Sequence, residues 1–253
     1  MKTSQINCPG NFSADVIGHA CMDYFETHDD HLSIDVWSNV AETDTIPVKY
    51  LFRSFDEMPY LEQQALRHCR GHILDIGACA GPHSLWLQQQ GYRVTALESS
   101  PGACEVMQKR GIHNILQEDY FQLSGEKQYD TLLLMMNGIG IVGCLNRLGD
   151  FFATARQLLT PGGQILLDSS DLRYLFMEDD GSFLIQLNSK YYGEVEYRMS
   201  YKGCKGRRFP WLFIDDQLLD HYAGKYGFRM DRLATGEHFD YLARLTLDLS
   251  QKK

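Results

Sequence analysis

The sequence predicts an α/β chain: a doubly wound, mainly parallel seven-stranded sheet with an antiparallel last strand, an N-terminal cap and a β-hairpin insertion. Three observations predict it. From His72 onward, short apolar runs alternate with helical segments, which implies crossover units and a parallel sheet. The stretch ILDIGACAGPHSLWL, Ile73 to Leu87, passes from strand to helix through a turn holding Gly77 and Gly81. Only TGEHFD separates the last two strand-like runs, which permits antiparallel pairing but no parallel crossover.

The N-terminal part divides into four segments. Ile17, Ala20, Cys21, Tyr24 and Phe25 recur at helical spacing. Leu32, Ile34 and Val36, then Ile46, Val48, Tyr50 and Phe52, alternate as two short strands would. A helix follows, with Asp56 as its cap and an apolar stripe through Leu61, Ala65 and Cys69. Residues 1–70 are therefore expected to be a cap packed on a catalytic unit at 71–253.

The regular part runs strand His72–Ile76, helix Pro82 to about Gln90, strand RVTALES, helix PGACEVMQKRG and strand HNILQED. Pro opens and Gly closes each helix, as the asymmetry of helix ends favours. YDTLLLMMNG is continuous enough to be a strand buried on both faces. A helix over Leu145–Leu159, stopped by TPGG, leads to the strand QILLDSS. An insertion at about 183–213 contains EVEYRMSY, a glycine-bearing turn and FPWLFI, a hairpin pattern. A helix capped by Asp215 or Asp216 and the two final strands complete the chain.

Composition narrows the function. The formal charge of −9 disfavours duplex DNA as a partner, because such affinity rests on phosphate contacts from basic surface. The seven cysteines are scattered and form no Cys-x-x-Cys pair, so reduced thiols and a cytoplasmic location are expected. No apolar signal core opens the sequence, and no run reaches the roughly 20 apolar residues of a membrane span. ETHDDHLSID gathers His28, Asp29, Asp30, His31 and Asp35, but at no standard metal spacing; no metal site is expected.

A dinucleotide fingerprint needs Gly-x-Gly-x-x-Gly so that the backbone can approach a pyrophosphate. Aligned from Gly77, its second glycine is Cys79 and its third Pro82, which disfavours a dehydrogenase. What survives is Asp75-x-Gly77-x-x-x-Gly81 after one strand and Glu98 at the end of the next. This resembles the class I S-adenosylmethionine-dependent methyltransferases, whose first motif is Leu-Asp-Ile-Gly-x-Gly-x-Gly against LDIGACAG here. The resemblance continues through ALESS, QEDYF, MMNG and LLTPGGQILLD, and covers residues 72–170 best.

The resemblance implies S-adenosyl-L-methionine as cofactor and S-adenosyl-L-homocysteine as product. It implies that Gly77, Ala78, Cys79 and Gly81 flank the methionine portion and that Asp75 helps hold its amino group. Glu98 would accept from the ribose hydroxyls and Asp119 from the adenine amine, with Ser99 and Tyr120 beside them. Asn137 follows the fourth strand, where both cofactor and acceptor come close. Asp168 and Asp171, with Ser169 between them, follow the fifth; Asp168, Asp171 and Asn137 are the candidate catalytic residues.

Several neighbours carry two readings. Arg53 can grip the methionine carboxylate or pair within the chain, and His83 can meet substrate or serve as a capping histidine. Tyr191, Tyr192, Tyr197, Trp211 and Phe213 can line an acceptor pocket or pack the hairpin. Lys202, Lys205, Arg207 and Arg208 form a basic turn, able to grip an anion or remain solvated. The expected activity is in-line methyl transfer to a small-molecule acceptor. The alternatives are an RNA or protein methyltransferase and a non-catalytic S-adenosylmethionine-binding protein.

Overall fold

The computed structural model describes residues 15–125, 128–177 and 190–247. Residues 183–189, the first part of the expected insertion, lie outside the described residues. Its strands are β1 (Ser33–Ser38), β2 (Asp44–Pro47), β3 (His72–Ile76), β4 (Arg93–Glu98), β5 (Ile115–Gln117) and β6 (Tyr129–Leu134). They continue with β7 (Leu159–Ser170), β8 (Glu194–Tyr201), β9 (Cys204–Leu212), β10 (Phe228–Thr235) and β11 (Asp240–Leu247). The helices are α1 (Val16–Thr27), α2 (Tyr60–His68), α3 (Pro82–Gln89), α4 (Pro101–Lys109), α5 (Leu148–Leu158) and α6 (Asp216–Lys225).

The larger sheet has the order β10-β11-β7-β6-β3-β4-β5. Strands β3 to β7 pair in parallel, and β11 runs antiparallel to both β7 and β10. All five residues of β3 are buried, as a central strand covered on both faces requires. Strand order reverses between β3 and β6, so a crevice opens beyond their carboxyl ends.

A second, antiparallel sheet has the order β2-β1-β8-β9. Asp35 faces Ser200 and Trp37 faces Arg198, so the N-terminal segment and the hairpin form one sheet. The hairpin turns at Lys202 and Gly203, both with positive φ (49° and 78°), the geometry of a two-residue primed turn. Pro210 is tolerated in β9 because that strand lies at the sheet edge.

Helix α1 is bound to α4 by one carboxylate. Asp15 Oδ1 accepts from Gly18 N and Ser100 Oγ, at 2.9 and 2.6 Å, and its Oδ2 accepts from Gly102 N at 2.9 Å. A Cβ on Gly102 would lie 2.8 Å from Gly18 Cα, so the two helices touch backbone to backbone.

Four expectations need correction. The second alternating run is a strand only to Pro47, and residues Val48–Phe52 form a 3-10 helix that buries Val48 and Leu51 on one side. Asp56 does not cap α2. It lies in a short 3-10 turn, Phe55–Glu57, closed by a reciprocal Ser54–Glu57 capping box. Pro59 then delays α2 to Tyr60, since the residue before a proline is driven out of helical backbone. The helix expected from Leu145 starts as a 3-10 turn, and α5 begins at Leu148. Finally, Cys21, Cys69, Cys79, Cys104 and Cys144 are free, but Cys204 is disulfide-bonded. Spacing along the chain carries no signal for thiols apposed by tertiary packing.

Candidate functional site

The turn after β3 is built by backbone geometry. Gly77 (φ 75°) and Ala78 both donate to Leu97 O, at 2.9 and 3.1 Å, which ties the turn to the end of β4. Gly81 (φ 78°) opens α3, and a Cβ there would lie 2.2 Å from Ile112 Cδ1. Around Gly77 the space a Cβ would enter is open. Cys79 takes left-handed backbone as well (φ 52°), without the freedom of a glycine. Its Sγ sits 3.9 Å from Cys21 Sγ on α1. The Cys21 thiol is pushed well up by that contact and by burial.

Glu98 closes the turn from the other side. Its Oε2 accepts from Cys79 N at 2.8 Å, and its Oε1 from Ser99 N and Ser100 N at 2.8 and 2.9 Å. Burial raises its pKa against the pull of these three donors. Ser99 is exposed beside it. Asp119 is exposed after β5, and its Oδ1 accepts from Phe121 N at 2.8 Å. Tyr120 is buried, with its hydroxyl donating to Phe151 O at 2.9 Å. Asp75 is buried within β3, accepts from Ser84 Oγ at 2.6 Å, and is raised by burial.

Two adjoining cavities meet at Ile76, Gly77, Ile141, Phe209 and Trp211. One, of about 350 Å3, is bordered by Glu98, Ser99, Asp119 and Tyr120. The other, of about 280 Å3, is bordered by Asp75, Ala78, Cys79, His83 and Asn137. Its roof is the apolar face of the second sheet, with Ile34, Val36, Tyr197, Met199 and Trp211, and Phe213 just beyond the end of β9. A Cβ on Gly140 would lie 2.0 Å from Trp211 Nε1, so the indole rests on the backbone after β6. Tyr191 and Tyr192 lie elsewhere, donating to Asp215 and Asp171 at 2.8 Å each.

Asn137 joins three strand ends. Its N donates to Asp168 Oδ1 at 2.9 Å and its Nδ2 to Leu212 O at 3.1 Å, while its Oδ1 accepts from Ser169 Oγ at 2.9 Å. Met136 and Asn137 both have positive φ (62° and 55°), a backbone strain that these bonds hold in place. Burial raises Asp168 to about 7. Asp171 pairs with Arg173 and accepts from Tyr192 OH. The linings of the two cavities contain Asn137 but neither of these acids.

Beneath the second cavity lies a buried polar cluster in which Arg53 takes the intrachain pairing that was one of its two readings, with a partner, Glu62, that the sequence reading passed over. Arg53, Glu62 and His83 are 5%, 4% and 5% exposed. Glu62 Oε2 accepts from His83 Nε2 at 2.7 Å and pairs with Arg53. Burial pushes the Glu62 pKa up, yet its bonds to His83 and Arg53 leave it below the ordinary carboxylate value. Glu62 sits beside Leu61 on the same stripe as Ala65 and Leu66, and an acid on an apolar stripe was the available signal.

On the basic turn, Lys202 pairs with Asp23, and Arg208 pairs with Glu196 at 2.8 Å. Near the N-terminal sheet, Asp29 Oδ1 accepts from His31 N at 2.9 Å, and Asp30 pairs with Lys49 at 3.4 Å.

The sheet order, the glycine turn and the carboxylate ending β4 define a Rossmann-like class I methyltransferase. A family model described as a methyltransferase domain matches residues 74–167. A crystal structure of an S-adenosylmethionine-dependent methyltransferase from Bacteroides fragilis, in complex with S-adenosyl-L-homocysteine, is 44% identical. That match covers 96% of this chain and 98% of the other, with a TM-score of 0.87. The chain belongs to the S-adenosylmethionine-dependent methyltransferases, and S-adenosylmethionine is its cofactor.

More distant structures share the fold. The CcbJ methyltransferase from Streptomyces caelestis is 18% identical, over 76% of this chain and 94% of its own, with a TM-score of 0.55. CalS10, an amino pentose methyltransferase from Micromonospora echinaspora, is 16% identical over 77% and 92%, with a TM-score of 0.54. No curated protein matches the sequence. Among the described residues, no helix is long and apolar enough to cross a membrane.

Proposed function

We propose that this methyltransferase acts on a small, largely apolar acceptor held under the second sheet. The observation that carries this reading is the 280 Å3 cavity, which adjoins the glycine turn and is roofed by Ile34, Val36, Met199 and Phe213. Its size suits a compact molecule, and its lining offers few polar groups. Two of the four basic residues on the hairpin turn are spent on ion pairs, which weakens the case for an RNA substrate.

The residues present fit the cofactor. Open space at Gly77 leaves room against the turn, and three carboxylates, of Glu98, Glu118 and Asp119, border the neighbouring cavity. Glu98 would accept from the ribose hydroxyls, using lone pairs left over from its three backbone donors. Asp119 would accept from the adenine amine, with Ser99 and Tyr120 alongside. Gly77, Ala78, Cys79 and Gly81 would flank the methionine portion, and Asp75 would face its ammonium group, at the turn side of the 280 Å3 cavity that the acceptor would share. Asn137, locked by its three bonds, would shape the junction between the cofactor and the acceptor, while Asp168 holds its backbone. Asp171 would serve the reaction indirectly, by anchoring Tyr192 at the root of the hairpin.

When bound, S-adenosylmethionine supplies a methyl group already activated by a sulfonium. The protein's own task is alignment, exclusion of water and disposal of a proton. Residues 71–253 would form the catalytic unit, and 1–70 its cap, with β1 and β2 completing the roof over the acceptor.

Calorimetric titration with S-adenosylmethionine and S-adenosylhomocysteine, on the wild type and Glu98→Ala, tests the cofactor placement. A screen of small acceptors against RNA and protein, read as S-adenosylhomocysteine release, tests the acceptor class. Turnover confined to RNA or protein would overturn the reading.

A further inference from the structure

We infer that His83 is the catalytic base that takes the acceptor's proton, and that Glu62, braced by Arg53, is the positioning residue that sets its tautomer. The inference rests on the reading that the acceptor occupies the cavity under the second sheet.

Few groups lining that cavity can accept a proton near neutral pH. Tyr197 cannot, because burial pushes its phenol up to about 12. Asn137 has no basic atom, and both ends of its amide are bonded within the protein. Asp75 already accepts from Ser84, and the thiol of Cys79 sits against that of Cys21. Asp168 titrates in a useful range but is not among the lining residues. His83 remains.

Its geometry is that of an oriented base. Glu62 accepts from Nε2, so that nitrogen carries hydrogen in either charge state, and Nδ1 of the neutral ring holds the lone pair. Among the described residues, the buried side-chain nitrogens and oxygens without a partner are Arg53 Nε and Arg244 Nε. Nδ1 of His83 bonds to none of the described residues, and on this inference it faces the cavity that the residue lines. A nitrogen facing the substrate space, backed by a carboxylate on the opposite nitrogen, is the general arrangement of an activating histidine.

The protonated form is accommodated. Glu62 from α2 faces the ring directly, and Asp75 on β3 lies close enough to feel its charge. Glu62 in turn faces Arg53 and feels Asp168, while Tyr50 stacks under the Arg53 guanidinium at 4.0 Å. The Arg53 charge offsets that of Glu62.

In the step, the acceptor heteroatom forms its bond to the methyl carbon as the S–CH3 bond breaks, with its electron pair staying on sulfur. The proton lost by the heteroatom passes to His83 Nδ1. The positive charge thus moves from sulfonium to imidazolium, with no co-reactant required.

The test combines kinetics with a measurement that needs no acceptor. Wild type, His83→Gln and Glu62→Gln are assayed with phenol, 4-nitrophenol, catechol, aniline, benzylamine and thiophenol across pH. Histidine nitrogen NMR is recorded on the protein saturated with S-adenosylhomocysteine. Calorimetric affinity for that product and thermal unfolding establish that each variant folds.

The expected spectrum shows His83 with hydrogen on Nε2 and a bare Nδ1. The wild-type kcat should rise to a plateau as the imidazole loses its proton. In His83→Gln, kcat at pH 7 should fall roughly 10²-fold or more and keep rising with pH, with product affinity within threefold. Glu62→Gln should lower kcat less and shift the plateau. A protonated Nδ1, or a His83→Gln kcat within threefold of wild type, would overturn the inference while leaving the acceptor reading intact. Turnover of no small acceptor would instead overturn that reading, and the base with it.

Discussion

Glu98 Oε2 accepts the backbone N–H of Cys79 at 2.8 Å, so the acid that ends β4 also holds the turn that ends β3. One carboxylate therefore shapes the loop and borders the cavity beside it. Replacing it should damage both at once. Glu98→Ala is expected to weaken S-adenosylhomocysteine binding by about 2–3 kcal/mol, the scale of hydrogen bonds to a charged group. Calorimetry on the variant checks this; affinity within threefold of wild type would refute it.

Cys79 stands in left-handed backbone where the related motif carries glycine. A β-branched side chain tolerates that conformation poorly. Cys79→Val should destabilise the protein by about 1–3 kcal/mol. Cys79→Gly should stay within about 1 kcal/mol of wild type, because relieved strain offsets added freedom in the unfolded chain. Urea unfolding of the two variants separates these outcomes.

Trp211 rests on Gly140, with no room for a methyl group. Gly140→Ala should displace the indole and cost about 1–3 kcal/mol, as overpacking does. The same change made on Trp211→Ala should cost much less, since the clash has been removed. A double-mutant cycle with additive costs would contradict this contact.

Asp168 gives the folded state a pH signature. Its pKa is raised from 3.8 to about 7, so between those values the folded chain holds a proton that the unfolded chain has released. Its contribution is fully present below the unfolded pKa and is lost as pH rises through about 7. Asp168→Asn, whose amide oxygen can still accept from Asn137 N, removes that dependence. The variant should gain stability relative to wild type between pH 4 and 8, by at most roughly 4 kcal/mol. Denaturant unfolding at the two pH values checks the sign.

The turn after β3 and the acid beside it were legible because their signals are local. Gly77, Gly81 and Pro82 announce a strand–turn–helix within a few residues, and Glu98 is recognisable by its place at a strand end. The surroundings of the residues after β6 and at the end of β7 were not. Asp168 and Asp171 look alike in DSSD, yet one holds the Asn137 backbone and the other is taken up by Arg173 and Tyr192. Only their surroundings distinguish them.

The sequence by itself determined the alternation of strands and helices, the reversed final strand and the shape of the glycine turn. These follow from periodicity, connection length and backbone freedom, all of which act over a few residues. The tertiary structure decided that β1 pairs with β8 across more than a hundred residues, with Asp35 opposite Ser200. It also brought Arg53, Glu62 and His83 together under the cavity and joined Cys204 in a disulfide. Such contacts depend on how whole faces bury against one another. Even where the partners lie close in sequence, as Arg53 and Glu62 do, nothing in the short window pairs them before the fold packs.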